Sequence, residues 1–117
     1  MIYETWFLLA LITSCIIEIP LLIALIRFVF HDRNLPVGRI VIVGALCTAL
    51  TLPYLWFVLP PFVDAAYYPL IGETFVVVVE GAILNRVLGL DARRAIVCSL
   101  VMNAASYLLG LILLGTP

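Results

Sequence analysis

Long apolar blocks separated by short polar stretches dominate the chain. The blocks cover about residues 5–30, 39–59, 69–88 and 95–114, and each is close to the roughly 20 residues that cross a bilayer as an α-helix. The connections contain helix stop and start signals, such as Pro36 and Gly38 in the first and "GLDARR" in the third. The pattern predicts an all-α, polytopic membrane protein: one domain over residues 1–117, with four transmembrane helices in a compact bundle.

Composition favours the same interpretation. Hydrophobic residues make up 66% of the 117 residues and charged residues only 11%, whereas a soluble domain carries roughly 45–50% and about 25%. The N-terminal block is preceded by acidic Glu4 and by no lysine or arginine, so we expect a permanent helix and not a cleaved secretion signal. We expect the protein to be integral to the cell membrane, inner or plasma, with the lipid bilayer as its surroundings.

The arginines predict the orientation of the helices. All six lie in or beside the first and third connections, and the N-terminus, second connection and C-terminus have none. Cytoplasmic loops of membrane proteins are enriched in lysine and arginine. We therefore expect residues 31–38 and 89–94 to be cytoplasmic and both termini to lie outside.

Polar residues within the blocks fall at one predicted depth. Counted from the nearest arginine at about 1.5 Å per residue, they lie roughly 9–14 Å into a hydrocarbon layer about 30 Å thick. The residues at this level are Glu18, Thr48, Glu80 and Asn103. Four helices thus direct polar groups to the middle of the membrane.

These residues belong to stripes with helical spacing, which predicts one shared polar interior. The candidate ion, proton or substrate site consists of Glu80, Glu18, Asn103, Glu73, Thr48, Thr51, Ser99 and Ser106. A second interpretation stands beside it, because serine, threonine and glycine are also ordinary packing residues between membrane helices.

The carboxylates have the strongest claim to a function. An ionised acid in mid-membrane costs at least about 2.5–3.5 kcal/mol, and no lysine or arginine lies at the level of Glu18 or Glu80. We expect the two acids to be protonated or to share a proton or small cation, with Asn103 orienting them. Glu73 lies nearer the predicted outer boundary, where hydration is an alternative.

Other chemistry finds little support. The three cysteines are isolated and the single histidine lies in an arginine-bearing loop, so no cofactor is predicted. Whether the site binds a metal ion is left open. Phosphate-loop, serine-elbow and zinc signatures are absent, and a net charge of −1 gives no reason to expect nucleic-acid binding.

The sequence is compatible with three functions. The first is a proton- or cation-coupled transporter or channel that acts as a homo-oligomer, because four helices alone enclose little volume. The second is a non-catalytic subunit or assembly factor of a larger membrane complex, whose other subunits would cover the polar stripes. The third is an intramembrane enzyme that modifies lipids, although the sequence shows no nucleophile and base at a spacing typical of a catalytic site.

Overall fold

The chain folds into helices joined by short connections. A computed structural model describes residues 2–54, 57 and 67–114. Its α-helices are α1 (Ile2–Ala24), α2 (Val37–Pro53), α3 (Tyr68–Ile83) and α4 (Ala92–Leu114). Five-residue π-helical turns extend α1 over Leu25–Val29 and α3 over Leu84–Leu88. These described residues contain no strand, and the all-α prediction is confirmed.

Two helical segments are long and apolar enough to cross a membrane, judged by length and composition. They are Ile2–Val29, with a mean hydropathy of 2.5, and Ala92–Ile112, with 2.0. The apolar helix α2 has only 17 residues and ends at Pro53, and the remainder of the predicted span 39–59 lies mostly outside the described residues. The predicted span 69–88 contains Glu73, Glu80 and Arg86, which lower its hydropathy. The described structure therefore provides two candidate spans where the sequence predicts four.

Local signals explain where the helices begin and end. Pro36, in an extended conformation, precedes α2, because proline lacks the amide hydrogen that a helix interior needs but is tolerated at a helix start. Gly89 ends the second π-helical turn with a φ of 85°, a left-handed conformation that glycine adopts without strain. Asp91 then accepts a 2.8 Å hydrogen bond from the backbone N–H of Arg94 and caps α4.

An apolar core joins all four helices near the arginine-bearing connections. Its buried members are Leu22, Leu25, Ile26, Ile40, Val43, Cys47, Leu84, Leu88, Leu90, Ala95, Cys98 and Met102. Helix α4 packs against α3 and α1, and α1 also packs closely against α2, whereas α2 and α3 meet less extensively. The core thus fixes the relative depth of the helices on which the buried polar residues lie.

The helices α2 and α4 turn the same positions inward. Counted from Arg39 and Arg94, their buried positions coincide as Ile40 and Ala95, Val43 and Cys98, Gly44 and Ser99, Cys47 and Met102, and Thr48 and Asn103. The π-helical turns that follow α1 and α3 likewise contain Arg27 and Arg86 at the same position. The chain therefore repeats a unit of helix, π-helical turn, connection and helix.

Arginine side chains hold the two connections together at one end of the bundle. Arg39 Nη2 donates a 2.8 Å hydrogen bond to the carbonyl oxygen of Val87, and Arg27 Nη2 donates one of 2.6 Å to that of Leu35. The guanidinium of Arg94 lies 5.5 Å from the ring centroid of Phe30. The positive charge of the described residues is thus gathered at this end.

Candidate buried carboxyl site

Glu80 on α3 is the centre of a buried hydrogen-bond network. Only 1% of the residue is exposed. Its Oε1 accepts a 3.0 Å hydrogen bond from Nδ2 of Asn103 on α4, and its Oε2 lies 2.6 Å from Oγ1 of Thr51 on α2. One carboxyl group therefore joins three helices in the bundle interior.

The hydroxyl of Thr51 lets Glu80 be satisfied with or without a proton. Thr51 Oγ1 also lies 2.8 Å from the carbonyl oxygen of Cys47, but a hydroxyl has only one hydrogen to donate. If that hydrogen goes to Cys47, Glu80 Oε2 must donate to Thr51, and the acid is neutral. If Glu80 is ionised, rotation of the hydroxyl directs the hydrogen to Oε2. Gain or loss of a proton at Glu80 thus requires no movement of heavy atoms.

Asn103 is held in the orientation that serves Glu80. Its Nδ2 also donates to the backbone oxygen of Ser99 at 2.8 Å and lies 3.4 Å from Ser99 Oγ. Ser99 Oγ donates a 2.7 Å hydrogen bond across to the carbonyl oxygen of Val77 on α3. Because these acceptors fix the side-chain amide, its amide nitrogen and not its oxygen faces Glu80.

Glu18 on α1 places a second carboxyl beside the first. It is 3% exposed, and its side chain lies close enough to Glu80 and Ser106 to interact with both. Its Oε1 is buried without a hydrogen-bond partner among the described residues. A buried acceptor left unpaired costs about 1–3 kcal/mol, more if it is charged.

Two adjacent carboxyls in this setting cannot both carry a negative charge without compensation. Repulsion between like charges is far stronger in a protein interior than in water. Within residues 2–54, 57 and 67–114, no arginine lies within salt-bridge distance of Glu18 or Glu80. The pair can therefore hold one proton, two protons or a cation, and exchange among these is the chemistry open to it.

The structure brings most, but not all, of the predicted site residues together. Glu80, Glu18, Asn103, Thr51, Ser99 and Ser106 form one connected group. Thr48 is buried beside them but bonds back to the carbonyl oxygen of Gly44 at 3.3 Å. Glu73 lies two helical turns from Glu80 and is half-buried, and its carboxylate has no hydrogen bond or ion pair among the described residues.

The site predicted from the sequence omits three participants. The hydroxyl of Ser14 accepts a 3.2 Å hydrogen bond from Ser106; Ser14 shares the polar stripe of Glu18, four residues before it on the same helix face, but is not among the predicted site residues. The backbone oxygens of Cys47 and Val77 also take part. A pattern of side chains does not indicate which backbone oxygens accept hydrogen bonds.

The part of the chain that the structure describes contains no cluster of three or more histidine, cysteine, aspartate or glutamate side chains arranged to hold a metal ion. Comparison with protein-family models, curated proteins and solved structures found no match.

Proposed function

We propose that this protein is a membrane transporter or channel that exchanges a proton or small cation at the Glu80–Glu18 pair. The observation that carries the proposal is the double role of Thr51, which lies 2.6 Å from Glu80 Oε2 and 2.8 Å from the Cys47 carbonyl oxygen. A hydroxyl that can either donate to Glu80 or accept from it stabilises the carboxyl in both protonation states, which favours an exchangeable proton at Glu80 over a fixed one.

The unpaired oxygen of Glu18 supports the same function. Intramembrane acids without a basic partner are expensive, and such residues commonly mark ion or proton pathways. Binding of a proton or cation between Glu18 and Glu80 would give Oε1 of Glu18 its missing partner. In this proposal Glu80 carries the exchangeable proton, Glu18 shares it, and Asn103 keeps the pair oriented.

The proposal includes four membrane spans. Helix α2, with 17 residues, is about 26 Å long. Helix α3 has 16 residues and its π-helical turn five more, together about 32 Å. Both lengths approach the roughly 30 Å of a hydrocarbon core. The arginines at one end of the bundle support the proposed orientation, in which residues 31–38 and 89–94 are cytoplasmic and both termini lie outside.

A homo-oligomer completes the proposed pathway. Packed apolar side chains occupy the bundle beside the carboxyl pair, and four helices alone enclose little volume. A path for ions therefore requires an interface between copies. Because all six arginines lie in or beside two connections, we expect the copies to share one orientation in the membrane.

Proton release from purified protein tests the function. The protein in detergent and weak buffer is mixed with sodium, potassium or magnesium chloride, and the pH change is recorded. We expect cation-dependent release from the parent and from Glu4→Gln, a matched substitution at an exposed acid on α1, and none from Glu80→Gln. Equal release by a folded Glu80→Gln variant would overturn the proposal. Copurification of a foreign membrane protein in fixed stoichiometry would favour a complex subunit instead.

A further inference from the structure

A second feature lies apart from the buried pair, in a groove between α3 and α4. The groove has a volume of about 620 Å³, within the roughly 300–1,000 Å³ typical of small-molecule sites. Its walls are apolar except for Glu73, Thr74 and Tyr107; the other lining residues are Leu70, Val77, Val78, Leu100, Ala104 and Leu108. The volume and the walls suit an apolar or amphiphilic small molecule.

Two of the three polar side chains in the groove are available to a ligand. The third, Thr74, donates its hydroxyl hydrogen to the carbonyl oxygen of Leu70 at 2.7 Å. Among the described residues, the carboxylate of Glu73 and the hydroxyl of Tyr107 have neither a hydrogen bond nor an ion pair. The groove therefore offers one carboxylate and one phenol to an occupant, surrounded by aliphatic side chains.

We propose that this groove binds a monovalent organic cation with apolar substituents, with Glu73 as its counter-charge. An anion would be repelled by the negative charge of Glu73. A small hydrated metal ion would leave the aliphatic walls uncovered. An amphiphilic cation matches both the carboxylate and the aliphatic walls of the groove, because its charge pairs with Glu73 and its apolar groups cover the walls. The ring of Tyr107 can add a cation–π contact.

The ligand would enter sideways from the bilayer. The groove residues Leu70, Val78, Leu100 and Leu108 are exposed on the outer surface of the bundle, which faces lipid in the four-span arrangement. An amphiphilic cation concentrates at the edge of a bilayer, where it would meet this surface. The site goes beyond the proton or cation exchange proposed for Glu80, and it does not require that exchange.

A pair of probes with one shape and opposite charge tests the site. Tetraphenylphosphonium and tetraphenylborate are dialysed separately against purified protein in detergent micelles, with protein-free micelles as the reference. We expect saturable binding of the phosphonium and none of the borate. Loss of a cation–carboxylate contact in an apolar setting is worth more than about 1.4 kcal/mol, so Glu73→Gln should weaken phosphonium binding roughly tenfold or more.

Two further variants separate this site from the buried pair. Ala104→Phe fills the groove from an exposed position and should exclude the phosphonium, whereas Glu80→Gln should bind it as the parent does. Folding of each variant is checked by its elution volume and melting temperature. Equal binding of both probes, or full phosphonium binding by Glu73→Gln, would overturn the inference. Neither result would bear on proton release at Glu80.

Discussion

The side-chain amide of Asn103 on α4 donates a 3.0 Å hydrogen bond to Oε1 of Glu80 on α3. Replacing Asn103 with alanine leaves a buried carboxyl oxygen without its donor, which costs about 1–3 kcal/mol. We expect a lower free energy of unfolding for Asn103→Ala, measured by denaturant titration in detergent. Val101→Ala, at an exposed position of the same helix, should change it little. Equal values for the two variants would show that the bond contributes nothing.

The two buried threonines of α2 provide a matched test of the hydroxyl beside Glu80. Thr51 reaches Glu80 Oε2, whereas Thr48 donates to the carbonyl oxygen of Gly44 in its own helix and, among the described residues, has no hydrogen bond to Glu80. Thr51→Val removes the hydroxyl at nearly constant shape, so the infrared C=O stretch of the protonated Glu80 carboxyl should move to higher frequency as it loses a hydrogen bond. Thr48→Val should leave the band in place. An unchanged band in Thr51→Val would contradict the proposed role of this hydroxyl.

Two glycines of α2 differ in what surrounds them. A Cβ atom at Gly44 would lie 3.1 Å from Ile19 Cγ1 on α1, whereas one at Gly38 would have no atom within 4 Å. Gly44→Leu should therefore force α1 and α2 apart and destabilise the protein by about 1–3 kcal/mol, as overpacking generally does. Gly38→Leu should have little effect. Thermal melts of the two variants in one detergent make the comparison, and similar melting temperatures would argue against close packing at Gly44.

Orientation in the membrane is tested with single cysteines. Asn34 and Tyr67 are exposed residues in the first connection and just before α3, and the proposed topology places them on opposite sides of the membrane. In a background without Cys15, Cys47 and Cys98, an impermeant thiol reagent added to intact cells should label Tyr67→Cys and spare Asn34→Cys. The reverse labelling pattern would show that the topology is inverted. Labelling of both positions would show that no single membrane span separates them.

Much of the site could be predicted from the sequence because depth follows from helix rise. Counting from the arginines placed Glu18, Glu80 and Asn103 near one level, and the structure brings these three side chains together. The matched inward positions of α2 and α4 reflect the same regularity. Because helix geometry depends only on local spacing, a sequence pattern can predict the depth of a residue and the helix face on which it lies.

The remaining features depend on which helices are neighbours, and a side-chain pattern does not contain that information. Thr48 and Thr51 both lie on the inner face of α2, but only Thr51 meets α3 at the height of Glu80. Glu73 shares a stripe with Glu80 and yet faces a separate groove, because α3 and α4 open toward the outer surface there. The four-span prediction also depends on residues 58–66, which lie outside the described residues.

The proposed function requires that Glu80 holds an exchangeable proton. Infrared difference spectroscopy of the purified protein tests it directly, through the C=O stretch that only a protonated carboxyl produces. We expect a band that shifts in heavy water and disappears reversibly as the pH is raised, with the Glu80 component lost in Glu80→Gln and retained in Glu4→Gln. A band in Glu80→Gln as large as that of the parent, or a band that neither shifts in heavy water nor titrates, would show that Glu80 holds no exchangeable proton.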